Sequence, residues 1–237
     1  MSAQDEDTVA RAYARPWRSI HRTLERSDLL DMNLPERFHT ASYREMDDTV
    51  FTMEDDVKVE RPNESKKFIR RCLERLEDMR RSGMGVIFNG PNGTGKTYAA
   101  CILLKAFRMH GQSCTYAHSE TFRRSLFSDD VVDLSGRPLN IRCFQCDVLL
   151  LDDLGKEVKS TKSGHELYAL EHLVRERYSR NKVTLYTTNM SSKRLKEAYK
   201  VSTISVLEGN TMTHKMLGVN KRVGAHSELR DFLKGSK

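Results

Sequence analysis

Residues 90–97 read GPNGTGKT, a complete G-x-x-x-x-G-K-T with Gly90, Gly95, Lys96 and Thr97 at the fixed positions and Pro91, Asn92, Gly93 and Thr94 between them. Each part has a use on a nucleoside triphosphate. The glycines let the backbone curl so that several N–H groups face one phosphate, and the N-terminus of a following helix adds positive potential. Lys96 supplies a point charge for the β and γ phosphates, and the Thr97 hydroxyl completes a Mg²⁺ shell. The expected ligands are ATP and Mg²⁺. Downstream, Asp147-Val-Leu-Leu-Leu-Asp152-Asp153 is an apolar run closing on two acids, 56 residues beyond Lys96. A buried strand of this kind would deliver Asp152 beside the metal and leave Asp153 to polarise an attacking water as general base. Thr184-Leu-Tyr-Thr-Thr-Asn189 is a second apolar run, ending in an amide 37 residues after Asp152. Asn189 at such an exit can orient the water and sense the γ-phosphate.

These side chains meet only if strands and helices alternate around them. Val86-Ile87-Phe88 predicts a strand over 84–89 running into the loop, and 96–110 is helical in pattern, ending at Gly111. Strand, glycine-rich turn, helix is the context such a loop requires. Further strands are expected at 113–118, 147–151 and 183–187. Helices are expected from Ser119, over 163–180 and from near Ser191. The alternation argues for an α/β fold, a parallel sheet with helices on both faces. Upstream, Phe68, Ile69, Cys72, Leu73, Leu76 and Met79 keep helical spacing up to Gly83, and 31–63 is a connecting segment with an acidic cluster at Glu54–Asp56.

Near the N-terminus, Arg11, Arg15, Arg18, Arg22 and Arg26 form one helical stripe, and Tyr13, Trp17, Ile20 and Leu24 form a second, apolar one. That apolar face, with the chain's single Trp, would suit docking on a partner protein, or packing on the chain's own core. The division expected is therefore 1–32 as a helical docking extension and 33–237 as the nucleotide-binding domain.

The 237 residues are enough for one sizeable core plus an appendage, and no apolar run approaches the ~18–20 residues of a membrane span. The acidic start MSAQDEDTVA has no apolar stretch, so no secretory signal is expected and the location expected is cytoplasmic. Five cysteines in such a chain argue for reduced thiols, and Cys143-x-x-Cys146, with only Cys114 and His118 at suggestive spacing, more readily fills strands than holds zinc. Residues 1–60 hold eight basic and 14 acidic residues, so a chain of net charge +7 carries +13 in 61–237. A basic second part suits a polyanion, against the plainer reading of a solvated lysine-rich surface.

The acid pair and the polar strand end discriminate among nucleotide enzymes. A small-molecule kinase of this size would carry an arginine-rich lid and would not need a water-activating acid pair. The set seen here suits hydrolysis by water, with the energy spent on a macromolecule.

Gly90–Thr97, Leu149–Gly155 (LLLDDLG) and Thr187-Thr188-Asn189 together resemble the AAA+ ATPases of the DnaC/IstB-like branch, the replicative-helicase loaders and transposase helpers. Asn33-Leu-Pro-Glu-Arg-Phe38, Arg175-Glu-Arg177-Tyr178 and Gly218-Val-Asn-Lys-Arg222 are similar to the branch as well, so the resemblance spans about residues 33–224. It implies a P-loop module of the AAA+ (ASCE) type that hydrolyses ATP, self-associates with ATP, binds single-stranded DNA and grips a DnaB-like ring helicase through its N-terminal extension. It implies Lys96, Thr97, Asp152, Asp153 and Asn189 for nucleotide and metal, and Arg222 as a further contact to the γ-phosphate. For DNA, Arg123 and Arg124 stand beside Phe122 and Phe127, followed by Arg137 and Arg142; cations interleaved with aromatics suit backbone contact and base stacking. A transposition helper would share the same core and differ in its N-terminal partner; a weakly hydrolysing, DNA-binding nucleotide switch is a further reading. One departure stands out. Where the family carries an arginine finger this chain has Thr203-Ile-Ser-Val-Leu-Glu208, with Ser205 or Val206 in its place, so hydrolysis is expected to be weak unless Arg175, Arg177 or Arg194 substitutes. No cysteine precedes Cys72, so the zinc-binding extension of some loaders is not expected here.

Overall fold

The computed structural model describes residues 23–128, 130–155, 164–224 and Leu233. Tyr13, Trp17, Ile20 and the arginine stripe as far as Arg22 lie outside the described residues. Of the two predicted stripes, only Leu24 and Arg26 fall within them.

The centre is a parallel sheet of five strands: β3 (Gly85–Asn89), β4 (Cys114–His118), β5 (Val148–Asp152), β6 (Val183–Thr188) and β7 (Thr211–Lys215). Their order across the sheet is β4-β5-β6-β3-β7. β6 thus separates the strand that leads into the 90–97 loop from the strand that carries the acid pair. Helices cover both faces, which is why β5 and β6 are buried at every position and β5 reads as an apolar run closing on Asp152. Side chains alternate across them. Val86, Phe88, Val148, Leu150 and Leu185 point into one core, and Ile87, Leu149, Leu151 and Tyr186 into the other.

Among the described residues the α-helices, in chain order, are α1 (Arg26–Asp31), α2 (Glu64–Glu74), α3 (Leu76–Ser82), α4 (Lys96–Met109), α5 (Ser119–Ser125), α6 (Leu139–Gln145), α7 (Gly164–Ser179), α8 (Ser192–Ala198), α9 (Val201–Asn210) and α10 (Lys221–Gly224). The helix expected up to Gly83 is two helices, broken at Arg75 (φ −126°) and closed by Gly83 in the left-handed conformation. Asn63 starts the first of them, its side chain accepting from Ser65 N and Lys66 N.

Two further findings alter the expected organisation. Residues 49–62, expected as connection, form an antiparallel hairpin of β1 (Thr49–Glu54) and β2 (Val57–Pro62). Its two-residue turn is Asp55-Asp56, both at positive φ (46° and 63°), the geometry that matches strand twist. The boundary expected at 32/33 falls within one packed segment. Met32 and Leu34 are fully buried in the first core, and Asp28 of α1 pairs with Arg108 of α4 at 3.0 Å. The described part of the N-terminal segment therefore belongs to the same body as the sheet.

Candidate functional site

The carboxyl ends of β3, β5 and β6 converge on one place. β3 leads into the 90–97 loop, and α4 begins at Lys96 with Gly95 as its N-cap. Two glycines are required by contact. At Gly93 (φ 78°) a Cβ would lie 1.7 Å from Asn220 Oδ1, and at Gly90 (φ 155°) it would lie 2.4 Å from Met216 O. The segment after β7 therefore wraps the loop from outside, held by Lys221 N donating to Gly93 O at 3.1 Å. Thr94 closes the turn with its hydroxyl on Pro91 O at 3.0 Å.

Lys96 is buried, and its Nζ donates to Gly90 O at 2.8 Å and Pro91 O at 2.7 Å. The ammonium thus reaches back over its own loop. Thr97 Oγ1 donates to Asp152 Oδ1 at 2.8 Å, which brings the alcohol and carboxylate expected for Mg²⁺ to one point. Hard oxygen donors of this kind fit that ion. Asp152 is buried at the end of β5, and takes a second hydroxyl on Oδ1 from Thr187 (2.6 Å) and a third on Oδ2 from Tyr116 (2.9 Å). Burial and the neighbouring Asp152 charge push the Tyr116 phenol well above its usual range, so it remains a donor.

Asp153 sits one residue beyond the strand in the left-handed conformation (φ 59°), which turns its side chain away from that of Asp152. Its N–H donates to Thr187 Oγ1 at 2.9 Å, and its carbonyl accepts the Ser119 hydroxyl at 2.9 Å. Asp153 Oδ2 lies 3.4 Å from His118 Nε2, while His118 Nδ1 accepts Glu120 N at the start of α5. Asn189 is exposed just past β6, and the cavity beside the loop, about 410 Å³, is lined by Asn92–Tyr98, Asp153, Asn189 and Arg222 among others. Its remaining wall is mixed: Phe38, Met46, Val50, Met216 and Leu217 give an apolar part suited to the base of a nucleotide, and Glu45, Asp47, Asn63, Ser65 and Lys221 a polar one.

All the residues expected to touch nucleotide and metal are thus gathered on one cavity or bonded to its lining. Sequence reasoning missed Thr187, Tyr116, His118 and Asn220. Thr187 stood inside the quoted TTN run; a hydroxyl two residues before the amide was its only signal.

The four arginines expected on DNA divide in two. Arg123 and Arg124 share a shallow hollow with exposed Phe127, Arg123 also pairing with Glu120 at 2.6 Å, while Phe122 is buried in the core. Arg137 and Arg142 are committed elsewhere: Arg137 lies 2.6 Å from Asp31, and Arg142 Nε lies 3.1 Å from the fully buried Asp133. Their charge is offset within the fold, where it ties α1 to α6.

Of the three arginines that could replace a finger, Arg177 is 1% exposed. Its guanidinium bonds Thr184 Oγ1 and the carbonyls of Cys143, Cys146, Asp147 and Val183. It closes the amino end of the sheet and cannot reach a neighbouring molecule. Arg175 and Arg194 are exposed, and Ser205 lies exposed on α9. Cys143 and Cys146 are buried free thiols, Cys143 pushed up in pKa chiefly by burial. Among the described residues no group of three or more His, Cys, Asp or Glu could hold a metal. No helix of the described residues is long and apolar enough to cross a membrane.

The family described as IstB-like ATP binding protein matches residues 42–218. The solved DnaC helicase loader is similar in fold: TM-score 0.59 at 22% identity, over 77% of this chain and 99% of that one. DnaI gives 0.62 at 19%, over 84% and 100%. AMPPCP-bound DnaA from Aquifex aeolicus gives 0.50 at 17%, over 72% of this chain and 50% of that one. No curated protein matches the chain in sequence.

Proposed function

Because the chain belongs to the IstB-like ATP-binding family, within the DnaC/IstB-like AAA+ ATPases, we propose that it is a helicase loader that binds ATP with Mg²⁺ and single-stranded DNA and delivers a DnaB-like ring helicase. The observation that carries the nucleotide part is the joining of Thr97 to Asp152 at 2.8 Å, with Lys96, Asp153, Asn189 and Arg222 around the same cavity. Lys96 and the loop hold the phosphates, Thr97 and Asp152 hold the metal, and Asp153 activates water that Asn189 orients. Bound Mg²⁺ supplies charge neutralisation of the phosphates. Arg222 meets the γ-phosphate from the segment after β7. Single-stranded DNA lies along Arg123 and Arg124 with a base on Phe127. With Ser205 and Val206 at the finger position, hydrolysis by the chain alone is slow; self-association with ATP, with exposed Arg175 or Arg194 offered to a neighbour, accelerates it.

The helicase as partner is supported by the fold shared with the DnaC helicase loader and with DnaI. The family match itself favours a second reading, a helper that brings a transposase to DNA. A pull-down against the host's replicative helicase, with and without ATP, separates them. The full chain is compared with one lacking residues 1–22, a cut that spares α1 and Met32. Capture that needs 1–22 supports the loader and gives the Trp17 stripe its role. Capture of the transposase but not the helicase replaces the loader by the helper.

A further inference from the structure

Asp152 receives three hydroxyls, and they are not equivalent. Thr97 is itself a metal donor, so it cannot also be what keeps the carboxylate in place. The restraints that remain are Thr187 on Oδ1 and Tyr116 on Oδ2. Tyr116 comes from β4, the strand at one edge of the sheet, whose outer backbone groups have no strand to pair with. At Tyr116 both are taken by the N-terminal segment. Tyr116 N donates to Met32 O at 2.7 Å, and Asn33 Nδ2 donates to Tyr116 O at 2.9 Å. Asn33 is in the left-handed conformation (φ 56°), and its Oδ1 accepts Leu134 N at 2.9 Å. Fully buried Met32 and Leu34 anchor it on either side.

We propose that Tyr116 is a positioning residue for the metal-binding carboxylate of Asp152, and that the Met32–Asn33 clamp sets its place, so that the N-terminal segment and the metal site are mechanically joined. A hydroxyl nearly enclosed in apolar surroundings needs a partner, and the partner it has is the oxygen of Asp152 facing away from Thr97. Fixing that oxygen leaves Oδ1 aimed at the alcohol of the loop. Outer hydrogen bonds to a ligating carboxylate change metal affinity by about 10–100-fold when lost. The proposal rests on the reading that Asp152 and Thr97 hold Mg²⁺.

The test is binding of fluorescent mant-ATP to the full chain as Mg²⁺ is titrated, with a parallel titration in EDTA. Tyr116→Phe should raise the Mg²⁺ needed for half-maximal binding about tenfold while the affinity in EDTA stays at the wild-type value. Asn33→Gly keeps the left-handed backbone and removes the amide; it should shift the Mg²⁺ requirement in the same direction by less. An unchanged requirement in Tyr116→Phe, or an equal loss in EDTA, overturns the role of Tyr116. A shift in Tyr116→Phe with none in Asn33→Gly overturns the clamp. Asp152→Asn is the control: if it leaves the Mg²⁺ requirement unmoved, the assignment of the metal site itself fails, separately from Tyr116.

Discussion

The two ends of the central sheet hold polar groups in opposite ways. At the amino end, Arg177 is buried and bonds the four carbonyls of Cys143, Cys146, Asp147 and Val183, so donors and acceptors are matched inside the fold. At the carboxyl end, Lys96, Thr97 and Asp153 line a cavity, and buried Asp152 stands behind Thr97. Lys96 caps carbonyls of its own loop, and Thr97 and Asp152 bond each other. The first end is satisfied by the protein alone. The second is held in contacts that a polyphosphate and a cation would replace. Buried charge with matched partners is structure; charge gathered at the rim of a cavity is what the proposed nucleotide site needs.

Substitutions at the two ends should therefore fail differently. Lys96→Ala removes the charge that meets the phosphates and should abolish ATP binding, read by fluorescent-nucleotide titration, while the melting temperature without nucleotide stays near wild type. A large loss of stability instead would make Lys96 a structural lysine like Arg177. Arg177→Met should do the reverse. It leaves several carbonyls buried without a donor and should cost about 3–5 kcal/mol in denaturant unfolding. Nucleotide affinity of the folded fraction should hold, and weakened affinity would join the two ends that the comparison separates.

The smallest expected effect concerns the four arginines: Arg124 is exposed and Arg123 half-buried on Glu120, both beside Phe127, whereas Arg137 and Arg142 pair with Asp31 and Asp133. Arg123→Ala with Arg124→Ala should weaken single-stranded DNA binding and reduce the slope of log affinity against log salt by about 1.4. Arg142→Ala should leave that slope alone and lower stability, because it strips a partner from buried Asp133. An unchanged slope in the first pair would place the DNA elsewhere.

The site was more legible in the sequence than the fold around it, for physical reasons. The loop, the acid pair and Asn189 could be found because each closes an apolar run, and a buried parallel strand needs that run whatever the rest does. The strand ends then had to converge. The hairpin escaped because its strands are mostly exposed on both faces and alternate weakly, and its turn is Asp-Asp where Asn-Gly would have signalled it. β7 escaped because Thr-Met-Thr-His-Lys, at the other edge of the sheet, is only partly buried and carries no apolar run. The break at Arg75 lies inside an unbroken helical pattern and has no residue to announce it. Arginines 123, 124, 137 and 142 look alike in sequence. What separates them is Asp31 and Asp133, brought beside the last two only by folding.

The most direct test of the central claim, that the carboxyl-end site hydrolyses ATP with Asp153 as base, is a parallel measurement of ATP binding and ADP formation in the wild type and Asp153→Asn. Binding should be equal, and turnover in the variant reduced about 10²-fold or more. Turnover at the wild-type rate with binding intact would contradict it.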